Sequence, residues 1–233
     1  MSLIIKGFIQ TSLIDYPGKI ASIVFFPRCN FSCPFCFNPE MVRNSEELRE
    51  INPEEVFDYI ESQKKWIDGV CLTGGEPTLQ EGLTEFISEI KNRGFLVKLD
   101  TNGSNPEMLK KLIEKKLLDY VAMDIKAPLK KYEKVAGCKV NLENIQKSVE
   151  LIKNSGIDYE FRTTVVPEQL NKDDIKKIGE WLDGSKKYFL QQFRPEKTLD
   201  KSFRGKRQYT PEELKELADS VKSNFEKVDV RGI

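Results

Sequence analysis

Residues 69–103 read GVCLTGGEPTLQEGLTEFISEIKNRGFLVKLDTNG, and the apolar period changes twice along them. GVCLTGG (69–75) is a nearly continuous apolar run of strand length closed by two glycines. Leu83, Phe86, Ile87 and Ile90 then recur at helical spacing, and Gly94 marks the helix end. FLVKLD (95–100) returns to a strand pattern. Strand, helix and strand joined in this way make a βαβ unit, which implies parallel strands covered by helices on their faces.

The same alternation extends outward in both directions. IASIVFF (21–27), YVAMDIK (120–126), YEFRTTVV (159–166) and KYFLQQF (187–193) also read as strands. Asn52-Pro53-Glu54-Glu55 and Thr210-Pro211-Glu212-Glu213 are helix starts with a capping residue, Pro at the first position and Glu at the third, and Asn105-Pro106 is another. Leu214, Leu217, Ala218, Val221 and Phe225 mark the apolar face of the last helix, and Gly156 closes an earlier one. FRGKRQ (203–208) reads as a solvated basic turn. Six strand–helix units predict an α/β fold with a parallel sheet, either an open flavodoxin-like sheet or a partial (β/α)6 TIM-like barrel, too short for eight-stranded closure. With no linker or break in composition, residues 1–233 read as a single domain: an N-terminal extension (1–19) followed by the wound region (20–233).

The chain has 233 residues, 37 basic and 37 acidic, and no histidine. Zero formal charge argues against nucleic-acid or membrane-surface binding, which calls for a basic excess. No signal peptide is recognisable at the start, and the longest apolar run is strand-sized. Five cysteines, three of them crowded into one loop, fit a reduced, cytoplasmic setting better than a disulfide framework.

That loop is RCNFSCPFCFNPE (28–40), in which Cys29, Cys33 and Cys36 follow the first strand directly. The C-terminal ends of parallel strands are where active sites collect. Thiolates favour zinc or iron–sulfur clusters. Structural zinc wants four Cys or His ligands; Cys71, within a strand, and Cys138, in AGCKV, could serve only by folding back. Three unrelated buried thiols would seldom share a loop with Pro, Asn and Arg. A [4Fe–4S] cluster on three cysteines, with the fourth iron open to a substrate, remains. Polar groups recur at the other strand ends: Gly74-Gly75-Glu76-Pro77, Asp100-Thr101-Asn102-Gly103, Asp124-Ile125-Lys126, Arg162, and Gln191-Gln192-Phe193-Arg194. Two glycines let a backbone approach a ligand closely, and a carboxylate beside them can accept from an ammonium group.

Taken together, Cys29, Cys33, Phe35 and Cys36 resemble the C-x3-C-x-aromatic-C signature of the radical S-adenosylmethionine (SAM) superfamily, and Gly74-Gly75-Glu76 resembles its GGE motif. The likeness covers nearly the whole chain, through GFIQTSLIDYPGK, DGVCLTGGEPTLQ, VKLDTNGSNP, DYVAMDIKAP, FRTTVV and LQQFRP. It narrows to glycyl-radical-enzyme activating enzymes, most of all the longer type of anaerobic ribonucleoside-triphosphate reductase activating proteins. The resemblance implies a partial barrel, one [4Fe–4S] cluster with an open iron, and SAM as cosubstrate. It implies Phe35 near the adenine and Gly74, Gly75 and Glu76 at the amino group. Lys126 and Arg162 would lie at the carboxylate or ribose, with Asp100, Asn102 and Gln192 also lining the SAM site. Asp100, Thr101 and Asp124 would hold a monovalent cation. The implied activity is reductive SAM cleavage to a 5′-deoxyadenosyl radical that makes a glycyl radical on a partner enzyme, with flavodoxin or ferredoxin as electron donor. Many such activases have His directly after the third cysteine, where this chain has Phe37. Rival readings are a radical SAM enzyme acting on a small molecule, an iron–sulfur electron carrier and a zinc-bound interaction module.

Overall fold

In the computed structural model, which describes residues 3–233, the six apolar runs are six of eight strands. The elements in chain order are β1 (Gly7–Ser12), β2 (Ala21–Phe26), α1 (Pro39–Arg43), α2 (Pro53–Ser62), β3 (Gly69–Gly74), α3 (Leu83–Asn92), β4 (Leu96–Thr101) and α4 (Pro106–Glu114). They continue with β5 (Tyr120–Asp124), α5 (Tyr132–Ala136), α6 (Leu142–Lys153), β6 (Asp158–Val165), α7 (Lys172–Trp181), β7 (Ser185–Gln192), α8 (Pro211–Asp219) and β8 (Phe225–Arg231). The strands lie side by side in sequence order; β2 to β8 run parallel and β1 is antiparallel to β2. The sheet curves enough for Ile23 and Phe25 of β2 to line the same cavity as Thr164 of β6 and Gln191 of β7. Among the described residues β1 and β8 do not pair with each other, so the barrel stays open.

The helix starts fall where the capping signals place them. Asn52 and Thr210 form capping boxes with Glu55 and Glu213, and Asn105 accepts from the Met108 N–H. Val56, Phe57 and Ile60 of α2, and Phe86, Ile87 and Ile90 of α3, pack with Val70, Leu72, Val97 and Leu99 in one continuous core. This apolar layer lies between the helices and the outer face of the sheet. Strand side chains alternate faces, and the alternate set is of a different kind: Lys98 and Asp100, Tyr120 and Asp124, Glu160 and Arg162. The interior beside β4 to β6 is therefore ionic, and the large apolar core lies outside the sheet.

Two segments differ from the sequence reading. The final helix ends at Asp219 rather than continuing to Phe225; one turn at Lys222–Asn224 leads into β8, a seventh parallel strand. Phe225 shares a helical register with Val221, while FEKVDVR is too polar to read as a buried strand. The N-terminal extension supplies β1, and Tyr16 beyond it packs with Ala21, Tyr120 and Ala122 inside the sheet at the N-terminal ends of the strands. Among the described residues no helix is long and apolar enough to cross a membrane.

Candidate active site

The cysteine loop leaves β2 through Arg28, whose φ of 65° lies in the left-handed region. Two contacts fix its path. Gly75 N–H donates to the Phe26 carbonyl and Glu76 N–H to the Arg28 carbonyl, each at 2.8 Å. A side-chain carbon on Gly74 would lie 2.6 Å from Phe26 backbone atoms, and one on Gly75 would overlap the Arg28 carbonyl oxygen. The glycines expected to admit a ligand therefore admit the loop's own backbone. From the other side, Ser32 N–H donates to the Ala136 carbonyl at the end of α5 at 3.0 Å.

All fourteen site residues singled out from the sequence line one cavity of about 480 Å³ at the C-terminal ends of the strands. That volume falls within the range of about 300–1,000 Å³ usual for small-molecule sites. Cys29, Cys33 and Cys36 lie together on its wall. Burial pushes the Cys29 thiol up to about 12, with the Glu76 charge adding to the effect, and the Cys33 thiol up to about 11; Cys36 is raised for the same reason. Such thiols ionise only when a cationic centre takes the place of their protons. Among the described residues no three Cys, Asp or Glu side chains gather around one point as a single ion requires. Three thiols in a chain without histidine suit an iron–sulfur cluster, for which thiolates are the usual ligands. Cys71 lies fully buried in β3, and Cys138 donates to the Asn30 carbonyl at 3.4 Å, so neither joins the three.

Behind the cysteines runs a chain of buried charge. Lys98 pairs with Asp100; Arg162 reaches Asp100 at 3.2 Å and Asp124 at 2.8 Å; Lys126 reaches Asp124 at 3.0 Å. Burial alone would raise both carboxyls, yet Arg162 with Lys98, and Arg162 with Lys126, hold Asp100 and Asp124 below the ordinary aspartate range. Three basic groups against two carboxylates leave a positive cluster suited to an anionic group. Asp100, Thr101 and Asp124, the residues expected to hold a monovalent cation, line the cavity beside these basic groups. Both carboxylates are already neutralised, and the Thr101 hydroxyl donates to Glu76 at 2.7 Å. Glu76, almost fully buried, also accepts from the Thr78 hydroxyl at 2.6 Å and the Asn102 N–H at 2.7 Å, and burial raises its pKa.

Sequence reasoning missed Lys98, Glu160 and Arg231. Glu160 is wholly buried, accepts from Tyr120 at 2.7 Å and pairs with Arg231 of β8. The signal for Lys98 and Glu160 was present: each stands two residues before a predicted site residue, on the same face of its strand. Arg231 was hidden with β8. Asn102 directs its amide to Asn30 Oδ1 at 2.9 Å and toward Cys29 Sγ at 3.7 Å, so it faces the cysteine loop as well as the cavity. Gln192 donates to the Tyr209 carbonyl at 2.6 Å, while its buried Oε1 has no partner within the protein, leaving an acceptor for a ligand hydroxyl or amine. Phe35 is buried against the cavity and Phe37 is half exposed at its edge.

The family profile of the Radical SAM superfamily matches residues 23–182, the stretch that carries the cysteine loop, the ionic chain and β2 to β6. The chain belongs to the radical SAM superfamily. Members of this superfamily are enzymes that use a [4Fe–4S] cluster and SAM, and the donor set described above fits both. A Methanocaldococcus jannaschii protein provisionally named a glycyl-radical enzyme activating enzyme is 35% identical over 100% of this chain and 98% of its own length. The pyruvate formate-lyase-activating enzyme of Clostridium pasteurianum is 30% identical over 72% of this chain and 71% of its own. The 7-carboxy-7-deazaguanine synthase of Archaeoglobus fulgidus is 32% identical over 69% of each chain. Among solved structures, Streptococcus suis SuiB bound to S-adenosylmethionine superposes on 90% of this chain with a TM-score of 0.68 and 15% identity, which establishes the fold; the chain spans 52% of SuiB.

Proposed function

We propose that this radical SAM protein is a glycyl-radical-enzyme activating enzyme and that its partner is an anaerobic ribonucleoside-triphosphate reductase. The observation that carries the reading is end-to-end similarity to the Methanocaldococcus jannaschii relative, 35% identical with nearly all of both chains aligned. Cys29, Cys33 and Cys36 hold the cluster. When bound there, the cluster supplies the electron that cleaves SAM to methionine and a 5′-deoxyadenosyl radical. Glu76 and Asn102 take the amino group of SAM. The positive excess at Lys98, Arg162 and Lys126 draws its carboxylate, and Phe35 and Gln192 lie along the nucleoside. The buried, internally paired cluster of charges offers these contacts with little reorganisation. The radical's substrate is the Cα hydrogen of one glycine on the partner. The open edge of the barrel, together with the exposed Ile9, Leu13 and Ile14, supports access for a protein loop.

A small-molecule substrate is the second reading, favoured by the 7-carboxy-7-deazaguanine synthase match. Anaerobic reconstitution followed by reduction should yield 5′-deoxyadenosine by liquid chromatography, and Cys33→Ala should reduce the yield to background. Mixing with the cell's anaerobic ribonucleotide reductase should then give a glycyl radical signal in electron paramagnetic resonance. Robust SAM cleavage without that signal would shift the assignment to a small-molecule substrate.

A further inference from the structure

The segment 194–207 leaves β7 and lies across the cysteine loop. The Asp200 N–H donates to the Pro34 carbonyl at 2.9 Å, Arg43 donates to the Leu199 carbonyl at 3.4 Å, and Lys197 pairs with Glu40 at 2.8 Å. The strap carries six basic residues against Glu196 and Asp200, a net charge of +4 within a chain of zero formal charge. Lys197, Lys206 and Arg207 form ion pairs with Glu40, Glu168 and Glu213. Arg194, Lys201 and Arg204 are exposed and, among the described residues, make no ion pair. Phe37, the neighbour of Cys36, is 47% exposed, with Arg194 and Lys197 each 5.9 Å from its ring.

We propose that this strap, together with Phe37, is the docking surface for a small acidic protein that donates single electrons. An exposed aromatic ring ringed by cations is the composition of an interface anchor. Unpaired basic groups on a rim speed encounter with an acidic partner more than they prolong its stay, which suits a donor that must leave after each transfer. Phe37 is also the exposed residue of the cysteine loop beside Cys36, so a partner seated there sits against that cysteine's neighbour. In the exchange the donor loses one electron and the centre held by the three cysteines gains it; no bond forms or breaks at the interface. The inference rests on the radical SAM reading of the cysteine loop and not on which substrate follows.

The test uses reconstituted enzyme with fully reduced flavodoxin as the probe. For the double variant Lys201→Glu, Arg204→Glu, the calorimetric Kd for flavodoxin at low salt should rise about tenfold or more. Wild-type binding should weaken as salt is added. Flavodoxin-driven 5′-deoxyadenosine formation should fall with the affinity, while dithionite-driven formation stays at the wild-type rate. Glu196→Lys, which adds charge to the strap, should tighten binding. An unchanged Kd in the double variant overturns the proposal. So does an equal loss of the dithionite-driven rate, which would mean that the strap shapes the SAM site. A loss confined to glycyl radical formation overturns it as well, by assigning the surface to the protein substrate. A wild-type enzyme that cleaves no SAM with dithionite sinks the underlying reading instead, and the Kd comparison still decides whether the surface docks flavodoxin.

Discussion

A methyl group on Gly75 would overlap the Arg28 carbonyl oxygen, one residue before Cys29. The backbone can yield only by moving the cysteine loop away from β3, breaking the bonds from Gly75 and Glu76 to Phe26 and Arg28. Gly75→Ala should therefore cost about 1–3 kcal/mol of stability, as overpacking does, and lower the iron bound per chain after reconstitution. Thermal unfolding and iron analysis on the same sample check both; full iron loading would show that the loop does not depend on this contact. At this scale the sequence was informative about chemistry and less so about cause. The cysteines, Glu76, Lys126 and Arg162 were legible because polar residues rarely end apolar strands without a role. The glycines were read as space for a ligand; both line the cavity, and what a sequence does not reveal is that the loop's own backbone also lies against them. Lys98 and Glu160 were passed over because each sits inside a strand, although the two-residue step to Asp100 and Arg162 places them on the same face.

Strands β2 to β7 were readable because both their faces are buried, one by helices and one by the charged interior, and this left long apolar runs with charges at the ends. β8 lacks that signature. Only Phe225, Val228 and Val230 pack toward the core, and the residues between them are charged. Its main contribution to the interior is Arg231, which reaches Glu160 at 2.5 and 2.8 Å. Arg231→Met would strand a wholly buried carboxylate and should destabilise the fold by about 3 kcal/mol, the lower end of the cost of breaking a buried pair, because Arg231 is one-third exposed. The deficit should shrink on acidification, since protonation neutralises the stranded group. Denaturant midpoints at pH 7 and pH 5 measure it, and equal midpoints for variant and wild type would mean that β8 contributes no electrostatic support. β1 escaped notice for a different reason: an edge strand covered on one side, with Ile9 exposed, has too little apolar content to stand out.

For the molecule as a whole, Asp100 and Asp124 couple folding to acid. Both native carboxyls titrate below the ordinary aspartate value of about 3.9. As the pH falls the unfolded chain binds these protons first, so their stabilisation is intact above about pH 4 and is lost as the pH drops through the native values. Asp124→Asn should therefore be less stable than wild type at neutral pH, with the two curves converging below about pH 4. Urea unfolding across that range is the measurement, and a constant gap at every pH would show that Asp124 contributes through shape alone. The inside-out arrangement, apolar layer outside and ion pairs within, also bears on heat. The penalty for keeping charges out of water falls as temperature rises, whereas the gain from apolar burial levels off. Warming should thus loosen the helical jacket before it disturbs the charged lining, leaving the pocket in register until the outer layer gives way.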